Sequence, residues 1–139
     1  MLKILLATLA GTIVYFLIGW LVFEGLLGKY MSTNTTQILG FKKTPEDSSM
    51  AMLIVSCAAY ALLLAVIMGQ WAHIHTFKEG AILGAVVGIL VAVMTDSYWY
   101  STSHFFNGFK PVLADIAAAG LTVGIMGGVI GWVLGFLAK

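Results

Sequence analysis

Four apolar stretches take up nearly all of this chain: Ile4–Gly28, Met50–Ala72, Ala81–Tyr100 and Val112–Ala138. A helix needs about 20 mostly apolar residues to cross the hydrocarbon layer of a bilayer, and each stretch is long enough. The chain therefore reads as an all-α membrane protein, an antiparallel up-down four-helix transmembrane bundle forming a single domain over 1–139. Only 9% of the residues are charged, far fewer than a soluble domain of this length carries. Formal net charge is +1, all seven basic residues are Lys, and Arg is absent, so nothing points to a nucleic-acid partner. The partner that the composition does name is the lipid bilayer.

Met1–Lys3 followed by an apolar run imitates a signal peptide, but the run continues to Phe23, beyond a secretory core of about 7–15 residues. It reads as a retained first span. The ends of the spans are marked by polar, turn-forming residues. Lys29–Thr44 is a loop, and Thr44-Pro45-Glu46-Asp47 looks like a helix start, with Thr44 as N-cap and Pro45 at the first position. Thr76-Phe77-Lys78-Glu79 is a capping box. Asn107-Gly108 breaks the chain and Pro111 opens the last span. The helices are thus expected near 4–28, 45–72, 77–102 and 111–138. Two of the connections are short, which predicts that consecutive helices are antiparallel neighbours with both termini on one side. Lys residues divide three against four between the two sides, too evenly for the positive-inside rule to orient the chain.

Small residues form the second pattern. Gly80, Gly84, Gly88 and Ala92 recur every fourth position in the third span. The fourth span carries Gly120-Gly124-Gly128 and Gly127-Gly131-Gly135. Helices in lipid associate by close packing rather than by a hydrophobic drive, so such ladders mark contact faces. Gly84, Gly88, Gly124, Gly128 and Gly131 are the expected packing positions. With two ladders on the last span, one face suits the bundle and the other suits a second copy or a larger membrane complex.

Up-down threading places Glu24, Asp96 and Asp115 in one half of the membrane, with His104 in the loop just above. Ionisable residues within a membrane usually face the interior or a wet cavity. Together the four form a candidate polar cluster able to share a proton or hold a cation. Asp96 is its strongest member, because it lies beside the small-residue ridge. Tyr15 and Tyr60 fall near mid-span and are expected to meet as a hydrogen-bonding pair. His73 and His75 are two residues apart, a poor spacing for a shared metal on a helix, and no metal site is assigned. Cys57 is the only cysteine and reads as a core residue. No nucleophile elbow, phosphate loop, dinucleotide fingerprint or zinc signature is present, so neither a cofactor nor a catalytic residue is assigned and the chain is not expected to be an enzyme.

Val14-Tyr15-Phe16 with Gly19-Trp20-Leu21, Thr76-Phe77-Lys78 with Gly80, and Gly127-Gly128-Val129-Ile130-Gly131-Trp132-Val133 together resemble an uncharacterised bacterial family of small four-span membrane proteins, a domain-of-unknown-function group. That resemblance implies a bacterial inner-membrane location and supplies no substrate. Two functional classes follow. The first is a structural or accessory subunit of a membrane assembly. The alternative is a homo-oligomeric proton- or cation-coupled channel or transporter that uses Asp96.

Overall fold

The computed structural model describes residues 1–139, and its regular elements are all helices. The helices are α1 (Leu2–Gly19), α2 (Gly28–Asn34), α3 (Met50–Val66), α4 (Phe77–Thr102) and α5 (Lys110–Ala138). Two of them widen at their C-terminal ends: α1 runs on as a π-helical stretch, Trp20–Leu26, and α3 does so over Ile67–Trp71. With those extensions, Leu2–Leu26, Met50–Trp71, Phe77–Thr102 and Lys110–Ala138 are each long and apolar enough to cross a membrane. The all-α class and the four-helix bundle are those that the sequence predicts.

The bundle is built around its last helix. Within the most apolar stretch of α5, 50% of residues are buried, against 22% for each of the other three. α5 packs most extensively on α4 and next on α1, while α3 packs mainly on α1 and only lightly on α5. Consecutive spans are therefore neighbours in the first pair and the last pair. Contrary to expectation, α3 and α4 form no substantial interface. The physical reason lies in side-chain size. The ridge on α4 is glycine and alanine and fits backbone to backbone on α5. The inner face of α3 carries Leu64 and Met68, which fill the centre with Ile4, Ala7, Met126, Ile130 and Leu134.

The α4–α5 seam is closed by glycine. A Cβ built on Gly80 would strike the Gly127 carbonyl, and one on Gly84 would strike the Val123 carbonyl and lie 3.0 Å from Gly127 Cα. One on Gly88 would lie 2.7 Å from the Ala119 carbonyl oxygen. From α5, Gly127 and Gly131 meet Gly80 and Gly84 in the same way, Gly124 lies on Ala85, and Gly128 takes the Phe77 ring. All five expected packing glycines thus sit in this seam. Gly11 is the counterpart in α1, where Ile130 of α5 and Ala61 of α3 converge on its open side.

Local signals explain most helix ends. Thr76 caps α4 as read, its Oγ1 accepting from Glu79 N–H at 3.3 Å, but Glu79 Oε2 takes the Thr76 hydroxyl at 2.9 Å rather than the backbone amide that a full capping box uses. α3 begins at Met50 rather than Pro45, with Ser49 accepting from Met52 N–H at 3.3 Å. The Thr44–Ser48 segment closes a separate turn instead: Ser48 N–H and Asp47 N–H both reach the Thr44 carbonyl, and Thr44 Oγ1 donates to Asp47 Oδ2. Asp47 is thereby occupied, and Ser49 takes over as the cap. The end of α3 is set by His73, whose φ of 50° is left-handed, with Ile74 N–H returning to the Met68 carbonyl at 2.9 Å. His73 is thus a chain-reversing residue.

The long loop is not wholly irregular, since it contains α2. It is also fastened to the α4–α5 turn. Thr35 and Phe106 form an antiparallel bridge, in which Thr36 N–H donates to the Phe105 carbonyl at 2.7 Å and Asn107 N–H to the Asn34 carbonyl at 2.8 Å. Thr36 Oγ1 adds a bond to the His104 carbonyl. Both Thr35 and Phe106 are buried.

Candidate intramembrane carboxyl site

The seam sets the position of the carboxylates. Each four-residue step along α4 (Gly80, Gly84, Gly88) is answered by a four-residue step back along α5 (Gly127, Val123, Ala119). One more step sets Asp115 level with Ala92, so that Asp96 lies one helical turn further along the same seam. Asp115 lies close enough to Asp96 for the two carboxyl groups to act on each other. Asp96 is only 6% exposed, and its Oδ2 is shielded with no hydrogen-bond partner. Asp115 is half-buried. Asp96 thus occupies the fifth position of the ridge Gly80-Gly84-Gly88-Ala92-Asp96, all of it buried against α5.

Tyr15 of α1 approaches from the opposite side of α5, near enough to Asp115 to interact with it electrostatically. Its ring meets Tyr60 of α3 edge-to-face, with centroids 5.5 Å apart and planes at 82°. Such a pair contributes roughly 0.5–1.5 kcal/mol beyond simple burial. The expected contact between the two tyrosines is therefore present, but the expected hydrogen bond is not. Tyr60 Oη is buried without a partner. The rings rather than the phenols make the contact.

The cluster of four is corrected to a pair. Glu24 is exposed and lines the cavities around the end of α1, on the α3 side, and His104 is exposed in the α4–α5 turn, engaged through its backbone carbonyl. Threading fixes the depth of a residue in the membrane but not the side of the helix it occupies. Glu24 shares the depth of Asp96 without facing it. No group of three or more His, Cys, Asp or Glu side chains is arranged to hold a metal ion. The proximity of Tyr15 to Asp115 went unread in the sequence, although Thr8, Thr12 and Tyr15 share one face of α1. Both threonines donate to their own helix, at 2.8 and 2.7 Å.

Two carboxyl groups at this distance in a dry seam cannot both be bare anions. Like charges in a low-dielectric interior repel strongly, and a carboxylate oxygen without a donor is costly. The arrangement is satisfied by a proton held between the two oxygens or by a small cation bound to both. Below Asp96 the seam is closed by backbone contact from Gly88 to Gly80 and is open only toward the long-loop end. Comparison of the chain with family models, with curated proteins and with solved structures returns no match.

Proposed function

We propose that this protein is a non-enzymatic, proton- or cation-coupled carrier of the bacterial inner membrane, with the Asp96–Asp115 pair as its ion-binding site. The observation that supports it is the buried Asp96 carboxyl, one oxygen of which has no partner, with a second carboxyl, Asp115, close by in the same helix seam. Intramembrane acids in such surroundings are functional by default. Closure of the seam toward Gly80 argues for a carrier, in which α4 and α5 must shift to release the ion to the far side, rather than for a standing pore. The bacterial inner-membrane placement rests on the family resemblance.

The test is reconstitution of purified protein in liposomes with internal pH and cation indicators. Protein-dependent dissipation of an imposed gradient is expected, with Asp96→Asn and Asp115→Asn abolishing it while size in detergent stays unchanged. Gradients that persist in the presence of the parent protein would dispose of the carrier reading. A role as structural or accessory subunit is the second reading. It is favoured by α4, which has one substantial helical partner and leaves Ile82, Val86, Leu90 and Met94 on the surface. Under that reading Asp96→Asn changes stability or oligomer size instead of flux.

A further inference from the structure

Away from the carboxyl pair, α1 and α3 diverge toward the long loop and leave an open groove of about 530 Å³. Phe16, Leu17, Trp20 and Phe23 line it from α1, and Met50 and Leu53 from α3. A second cavity of about 600 Å³ lies among α2, the long loop and Phe105. The two adjoin at Phe23 and Glu24, which line both. Their chemistry differs. Eight of the eleven residues around the groove are hydrophobic, against five of thirteen around the loop cavity, whose lining includes Lys29, Lys42, Ser32, Thr36 and Gln37. Two ammonium groups there outnumber the single carboxylate of Glu24.

An apolar groove that opens to lipid and ends in a basic, hydroxyl-rich cavity matches an amphiphile with one anionic head. Basic pockets at the membrane surface recognise lipid head groups in this way. We propose that the groove and the loop cavity form one binding site for an anionic phospholipid, with an acyl chain against Trp20 and Leu53 and the phosphate on Lys29 and Lys42. The π-helical stretch Trp20–Leu26 spans the junction: it supplies Trp20 to the groove and Phe23 and Glu24 to both cavities. π-helical turns of this kind are frequent at binding sites. The Thr35–Phe106 bridge holds the wall of the head cavity, since Thr35, Thr36 and Phe105 all belong to its lining.

Trp20 reports on this site directly. In a protein with Trp71, Trp99 and Trp132 replaced by Phe, its fluorescence is measured in phosphatidylcholine vesicles. These contain a small mole fraction of either bromine-labelled phosphatidylglycerol or bromine-labelled phosphatidylcholine. The expected result is several-fold stronger quenching by the phosphatidylglycerol, abolished by Lys29→Gln together with Lys42→Gln. A companion protein that keeps only Trp132 should show no head-group preference. Equal quenching of Trp20 by the two lipids overturns the proposal, as does a preference that survives the double lysine change. Excess inorganic phosphate, at matched ionic strength, should leave the quenching in place. Loss of the preference on adding it would assign the head cavity to free phosphate and overturn the lipid site.

Discussion

The two helix pairs of this bundle are held together in opposite ways. Along α4–α5 the backbones touch, and five small-residue positions leave no room for a methyl group. Along α1–α3 the contact is made by side chains near Ala61, Leu64 and the Tyr15–Tyr60 rings, and beyond them the helices part around a groove. In lipid, where apolar area alone gives helices little reason to associate, the first arrangement yields a dry and inflexible seam. The second leaves a surface that lipid can enter. The carboxyl pair lies in the seam that excludes solvent, and the amphipathic cavity lies where packing is loosest.

The sharpest way to break this contrast is to place the same side chain on both sides. Gly84→Leu should separate α4 from α5, because the atoms in its way are backbone of Val123 and Gly127 and cannot yield. A loss of about 3 kcal/mol or more is expected, at the upper end of the cost of overpacking, read as a collapse of thermal stability in detergent. Gly19→Leu, at a glycine with nothing within 4 Å of the new Cβ, should not lower the melting temperature. Equal losses from both changes would end the distinction between seam and groove. Gly11→Ala is intermediate. Its methyl would meet the flexible end of Ile130 at 2.7 Å, and a loss of about 1–2 kcal/mol is expected by the same measurement.

Two changes on the α1–α3 side should run the other way. Tyr60→Phe keeps the edge-to-face ring contact and removes a buried hydroxyl that has no partner. A gain of up to about 1–2 kcal/mol is expected in reversible unfolding, since an unsatisfied buried polar group costs that much. A loss would mean that the hydroxyl is engaged in the membrane. Gly19→Ala should bring the smallest effect, a gain of about 0.5–1 kcal/mol from backbone entropy alone, visible as a slight rise in melting temperature.

The sequence made some of this plain and hid the rest for physical reasons. Four spans, the Thr76–Glu79 cap and the glycine faces follow from composition and local spacing, and those rules work over a few residues. The Asp96–Asp115 pair was half legible. Both acids could be assigned to one depth, but so could Glu24, and only the register of the glycine ladders separates them. The hub position of α5 depends on which ridge fits which groove, a property of pairs of helices that no single span displays. The π-helical stretches and the short α2 carry no distinctive composition. At the start of α3, Thr44-Pro45 and Ser49 are both good caps, and the turn that Asp47 forms with Thr44 decides between them.

The hub helix has a consequence for synthesis. A ribosome delivers spans in sequence order, and the one that every other span leans on arrives last. Once α1 and α3 are inserted they already have each other. α4 enters with no partner of its own, and its buried face, Asp96 included, stands in lipid until α5 follows. That interval is the stage at which an unpaired acid in hydrocarbon is most costly, and at which an insertion chaperone or a bound proton would matter most. A nascent chain halted in the turn before Lys110 should accordingly be the species most open to membrane quality control.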